Sequence, residues 1–210
     1  MNRPAAALTL ALGLMACALP VLSANPAAAT PASPASRGAS QANGAGFERT
    51  LSLQGIGFQV SCANAGSLNR VRIQPKGLKV DNAAIEKDIE GTVSQAEVAD
   101  LNADGSPEIY VYVNSAGSGS YGSLVAYAAN RKKSLSEIHL PPLDEDAKAA
   151  KGYGGHDEFR IVKNALVRRF PLYRENDSQS KPTGGARQIQ YQLKAGEAGW
   201  ILQAVRTIDD

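Results

Sequence analysis

The sequence predicts an all-β domain: an antiparallel β-sandwich of short strands with long turns and at most short helices. Three observations lead there. Side chains alternate with a period of two, so that Ile109, Val111 and Val113 share one face of a strand while Tyr110 and Tyr112 share the other. Turn-forming residues interrupt the chain at short intervals, among them Gly55, Asn64–Gly66, Pro75–Gly77, Gly91, Asp104–Gly105, Gly117–Gly122, Pro141–Pro142, Gly152–Gly155 and Pro182–Gly185. Helical periodicity is confined to two brief stretches, Asn82–Lys87 and Asp144–Lys151. Short alternating runs between frequent turns are the pattern of a sandwich or barrel.

Met1–Ala24 reads as a secretory signal, with one cation at Arg3, an apolar run from Ala5 to Leu22 and small residues after it. The run is too short and Ala-rich for a spanning helix. Leu14–Cys17 also resembles a lipobox; in that reading Cys17 is lipidated and the protein is held on a membrane, whereas cleavage after Ala24 frees it. Asn25–Ala45 is built of Ala, Pro, Ser, Gly and Asn with one charge, Arg37, and is expected to be a disordered tether. Residues 46–210 are then enough for one domain with a core of its own.

Along that domain, Gly57–Cys62 reads as a strand, and Val71 and Ile73 alternate with Arg70, Arg72 and Gln74. Glu108–Val113 and Ser123–Ala128 are strands flanking the Gly-rich segment. Phe159–Val162 and Leu166–Phe170 form a hairpin about Asn164, Ile189, Tyr191 and Leu193 alternate with Gln and Lys, and Trp200–Val205 is a closing strand. Trp200 is expected to pack in the sheet.

Charge excludes some partners. Without Arg3, 21 basic residues face 20 acidic ones, and no block of one sign occurs. Nothing in that balance points to nucleic acid or an anionic membrane surface. If Cys17 is removed or lipidated, Cys62 has no partner within the chain, and a buried thiol is expected. Two cysteines and two histidines exclude the structural zinc patterns built from four Cys or from two Cys and two His, because Cys17 lies in the leader. No cofactor is indicated.

Two segments carry distinctive chemistry. Ser115–Gly122 places one large aromatic, Tyr121, among Gly and small hydroxyls between two strands. Such a loop can approach another surface closely, and a Tyr offers rigid contact area with a hydroxyl at low entropic cost. Gly117, Gly119 and Gly122 also fit the spacing G-x-G-x-x-G. A dinucleotide site, however, requires a helix to open at the last Gly, and here a β-prone run follows. The second segment is Asp100–Glu108, with oxygen-bearing side chains at Asp100, Asn102, Asp104 and Glu108 and Gly105 in sixth place. That spacing suits Ca²⁺, whereas Val111 in twelfth place excludes an EF-hand. The same residues also make an ordinary polar turn. Neither His139 nor His156 lies in a metalloprotease or nucleophile-elbow motif, and no pair of carboxylates is singled out for catalysis.

The run Ala96–Val113, continued through Ser115–Gly122 and Leu124–Tyr127, resembles the bacterial periplasmic inhibitors of invertebrate-type (i-type) lysozyme. Leu140–Asp144, Gly155–Phe159, Lys181–Gly185 and Gly196–Trp200 continue the likeness, which spans most of residues 47–205. The resemblance implies a β-sandwich and no enzymatic activity. It also implies a periplasmic location, i-type lysozyme as protein partner, and a homodimer as one oligomeric option. In that family a Ser-Gly-x-Tyr-like loop enters the lysozyme cleft, which on this chain implies Ser118 and Tyr121, with Gly117, Gly119, Ser120 and Gly122 shaping the loop. The Asp100–Glu108 segment then becomes a structural turn. A short loop buries too little area for tight inhibition, so a second contact loop is expected, either Tyr153–His156 or Pro182–Gly185, with Tyr153, His156 and Thr183 as the candidate residues. Two rival readings are a calcium-stabilised carbohydrate-binding or adhesion module using Asp100, Asn102, Asp104 and Glu108, and a periplasmic hydrolase.

Overall fold

The computed structural model describes residues 46–210. The signal segment, Cys17 and the tether 25–45 lie outside the described residues. Twelve strands form two sheets, as the alternation predicts. The first is a meander of β1 (Phe47–Leu53), β2 (Ile56–Cys62), β3 (Leu68–Lys76) and β4 (Ile85–Glu90). Gln54 and Gly55 turn the first hairpin with φ of 52° and 85°, the two left-handed residues that a tight two-residue turn requires.

β4 corrects an expectation, since the chain there is strand rather than helix. Ala83, Ala84, Glu86 and Lys87 favour helix locally, and Ile85 and Ile89 share a face at a spacing of four in either structure. Pairing decides the outcome. β4 lies antiparallel on β3, where Asp88 meets Arg70 at 2.6 Å and Glu86 meets Arg72 at 2.8 Å on the outer face.

The second sheet has the order β5-β6-β7-β8-β12-β11-β10-β9. Its strands are β5 (Thr92–Ala99), β6 (Glu108–Asn114), β7 (Gly122–Asn130), β8 (Ser134–His139), β9 (Glu158–Val162), β10 (Ala165–Pro171), β11 (Ala186–Ala195) and β12 (Trp200–Asp209). The chain leaves β8 through a 3₁₀ turn at Leu143–Glu145 and the short helix α1 (Ala147–Ala150), which Asp146 caps. It reaches the far edge at β9 and meanders back. β12 therefore arrives beside β8 running the same way, and this one parallel pair departs from the all-antiparallel expectation.

β6 is buried on both sides, and its alternation sorts two cores. Ile109, Val111 and Val113 pack with Phe58, Val60, Val71 and Ile73 of the first sheet. Tyr110 and Tyr112 face inward with Leu166, Phe170, Ile189, Tyr191 and Leu202 inside the curled second sheet. Burying each such side chain contributes about 1.5–3 kcal/mol. The curled sheet nearly closes between β5 and β9. There Glu97 Oε2 accepts the Tyr112 hydroxyl at 2.6 Å and the Ile161 N–H at 2.9 Å, so a side chain bridges the seam. Cys62 is buried and free. Trp200 packs against the inner core and donates its indole N–H to Asn130 Oδ1 at 2.9 Å.

Candidate functional site

The Ser115–Tyr121 loop joins β6 to β7 immediately beyond their last pair, Asn114 and Gly122. Its base is closed twice: the Ser115 N–H donates to the Tyr121 carbonyl at 2.9 Å, and the Tyr121 N–H donates to Ser115 Oγ at 2.8 Å. A turn from Gly117 to Ser120, bonded at 3.1 Å, leaves Ser118 exposed at the tip. Ser120 is left-handed at φ 41°, a local strain that the two closures hold in place.

Tyr121 is 47% exposed, yet its ring is not free. It lies over Gly119, where a Cβ would stand 2.5 Å from the ring. One edge meets Tyr153 at a centroid distance of 5.7 Å, and Tyr153 in turn meets Phe170 at 4.8 Å. An aromatic column thus runs from the inner core to the loop and holds Tyr121 in one orientation before any partner arrives.

A second loop, Gly152–Asp157, clamps the first from beneath. The His156 N–H donates to the Gly119 carbonyl at 2.7 Å, and a Cβ on Gly155, at φ +96°, would collide with that carbonyl oxygen. Asp157 is the hub. Its Oδ2 accepts the Gly122 N–H at 2.7 Å and the Tyr153 hydroxyl at 2.6 Å, while Oδ1 accepts Arg168 Nε at 2.6 Å. The guanidinium also donates to the Tyr153 oxygen at 2.9 Å and stands within 5.7 Å of the Tyr153, Phe159 and Phe170 ring centres. Burial alone would lower the Arg168 pKa, but the charge and hydrogen bond of Asp157 outweigh it and the net shift is upward. Burial, followed by the bond to Asp157, pushes the Tyr153 hydroxyl up. Both groups therefore keep their protons across the physiological range.

The structure brings Ser118, Tyr121, Tyr153 and His156 to one end of the curled sheet. Tyr153 turns its hydroxyl inward, so it buttresses Tyr121 and offers no free donor. Thr183 belongs to a third loop and reaches the cluster indirectly. Its N–H and hydroxyl donate to Asp177 at 2.7 and 2.8 Å, Gly184 donates to the Leu172 carbonyl, and Tyr173 donates to the Gly152 carbonyl.

At the other end of β6, the Asp100–Glu108 side chains hold the loop's own amides. Asp100 accepts from Asp104 and Gly105, Asn102 from Asp104, and Asp104 from Ser106. Among the described residues, no three His, Cys, Asp or Glu side chains converge closely enough to hold an ion by themselves. The sequence reading missed Asp157 and Arg168. A signal was present, because Arg168 is in phase with Leu166 and Phe170, and a charge on the inward face of a strand needs a buried partner.

A β-sandwich that presents a braced, small-residue loop has a surface suited to contact with another protein. Residues 81–152 match the family model described as Periplasmic lysozyme inhibitor of I-type lysozyme, a description that names an inhibitor and not an enzyme. The matched stretch contains Ser118 and Tyr121 and ends before Tyr153, His156 and Thr183. No curated protein and no solved structure shows a significant match. The family match favours the inhibitor over the carbohydrate-binding reading and supports a periplasmic location.

Proposed function

We propose that this protein inhibits i-type lysozyme in the periplasm by inserting the Ser118–Tyr121 loop into the catalytic cleft. The observation that carries this reading is the pre-set loop: Ser118 stands at an exposed tip, and Tyr121 is half-exposed while its ring is fixed by Gly119 and Tyr153. A lysozyme works through two carboxyl groups that exchange protons or stabilise charge. Two hydroxyl donors held at those groups, on a loop with no glycosidic bond to cleave, occupy the cleft without turnover. Pre-organisation matters because ordering a free loop on binding would subtract from affinity. His156 and Thr183, on the neighbouring loops, extend the contact toward the area a stable complex needs. Attachment through Cys17 and a homodimer rest on the leader sequence and the family resemblance alone.

The test is lysis of a cell-wall suspension by an i-type lysozyme in the presence of the purified protein. A buried Tyr anchor is worth about 2–4 kcal/mol, so the Ser118→Ala/Tyr121→Ala double variant should weaken inhibition about 30- to 900-fold. Its melting temperature should stay close to the parent's. A folded double variant with the parent's inhibition constant would move the site elsewhere, and a parent inactive on i-type, chicken-type and goose-type enzymes would remove the function.

A further inference from the structure

We propose that Tyr173, on the loop between β10 and β11, is a second aromatic anchor of the inhibitory face, its ring seated on a wall of the lysozyme cleft while Tyr121 enters beside it. This inference rests on the inhibitory reading above and adds a contact to it.

Two adjacent glycines bring the loops together. Gly155 lets the Gly119 carbonyl of the first loop approach the second. Gly154 does the same for the third, since a Cβ there would stand 2.6 Å from the Tyr173 ring. The second loop thus carries the Tyr121 loop on one glycine and the Tyr173 ring on the next. The Tyr173 N–H fixes this seat by donating to the Gly152 carbonyl at 2.7 Å, and Tyr153 pairs with Leu172 in an isolated antiparallel bridge. Tyr173 is half-buried. Burial, then the Tyr121 hydroxyl and then Asp177 raise its pKa, and the Tyr121 contribution places the two phenols within electrostatic reach of each other.

The third loop, residues 172–185, is pre-set as the first one is. The Gly184 N–H donates to the Leu172 carbonyl at 2.8 Å and the Leu172 N–H to the Gly185 carbonyl at 2.9 Å, which closes the neck. Within it, the Tyr173 hydroxyl donates to the Gln179 carbonyl at 3.0 Å, and Asp177 accepts from Arg174 and Thr183. These bonds decide what can reach a partner. The N–H and hydroxyl of Thr183 are taken by Asp177, and the Tyr173 hydroxyl proton is taken by Gln179. The aromatic surface this loop retains beside Tyr121 is the ring of Tyr173.

A ring suits the partner. A groove that binds a glycan offers apolar walls for the faces of successive sugar rings, and a Tyr ring is flat, rigid and loses little entropy when immobilised. Ser118 and Tyr121 address the catalytic carboxyls, while Tyr173 covers the wall and keeps water from them.

The experiment measures inhibition constants on an i-type lysozyme, and melting temperatures, for the whole purified protein and for Tyr173→Ala, Tyr173→Phe, Tyr121→Ala and the Tyr121→Ala/Tyr173→Ala double variant. Tyr173→Ala should weaken inhibition about 5- to 30-fold, and Tyr173→Phe, which keeps the ring, by less than about threefold. Most of the Tyr173→Ala loss should persist in the Tyr121→Ala background. A loss that disappears there would show that Tyr173 acts only by holding Tyr121, and an equal loss in Tyr173→Phe would show that the bond to Gln179 matters and the ring does not. Either result overturns the proposal, as does parent-like inhibition by a folded Tyr173→Ala, which leaves the Ser118–Tyr121 reading intact. A parent that inhibits no lysozyme removes both. Without any variant, hydrogen exchange across residues 172–185 should slow in the complex; exchange unchanged there while residues 115–122 are protected would also overturn it.

Discussion

Replacing Asp157 by Ala tests how the inhibitory loop is held. The Asp157 side chain is fully buried and that of Arg168 is 6% exposed, with 2.6 Å between them. Removing one member of such a pair strands a buried charge and costs about 3–5 kcal/mol. Arg168 keeps its bond to the Tyr153 hydroxyl and its three aromatic neighbours, which favours the lower half of that range. Domains of this size lose about 2–4 °C per kcal/mol, so Tm should fall by about 6–16 °C. The same substitution removes the acceptor of the Gly122 N–H, so the loop should fray and inhibition should weaken even where the protein is folded. Urea denaturation with a lysis assay at the same temperature reads both effects. A loss under about 1 kcal/mol, the scale of an exposed ion pair, or full inhibition in the variant, would refute the assignment of Asp157 as the hub.

Two further outcomes are expected. Gly155→Ala should cost at least about 1 kcal/mol, because its φ of +96° disfavours any Cβ and the added methyl meets the Gly119 carbonyl. Thermal melting and the inhibition constant should both worsen, and parent-like values in both would show that the two loops are not clamped together. Asp177 provides a pH prediction. The Arg174 N–H, and after it the Thr183 N–H and hydroxyl, hold its carboxyl below the usual range. A folded pKa below the unfolded value of about 3.9 makes this contribution present above pH ~4 and lost as pH falls through the folded value. The hydrogen-exchange protection factor at Thr183 should therefore be constant near neutrality and fall as acidification below the unfolded value of about 3.9 protonates the carboxyl; protection that stays unchanged after the carboxyl is protonated would contradict it.

Much of the fold was legible because one or both faces of each strand are apolar. The split of Ile109, Val111 and Val113 from Tyr110 and Tyr112 emerges as the division between two cores. The hairpin about Asn164 and the Trp200 strand were also readable. β4 was not, because spacing Ile85 and Ile89 four apart satisfies a helix and a strand equally, and its partner Arg70 and Arg72 lie on another strand. In the site, Tyr121 and Ser118 were conspicuous by composition. The clamp was not, since Asp157 and Arg168 are ordinary charges until the hairpin brings them together. Their phase was the available clue: Arg168 and Glu108 both sit at positions where the strand's rhythm calls for an apolar side chain.

β12 also dictates when this protein can finish folding. It alone joins β8 to the meander β9-β10-β11, with Trp200 opposite Ile138 and Ala195 on its two sides. As the chain is made, β1 to β8 can assemble early from neighbouring hairpins. Without the final strand, the β9–β11 meander is tied to β5–β7 by the bridge of Glu97 to Ile161 and the clamp of His156 and Asp157 on the Gly119–Gly122 loop, with no strand ladder between the two halves. Closing that long loop is the slow, entropically costly contact. Until then β8 exposes an unpaired edge, and shortening the C-terminal strand would remove the join between the two halves.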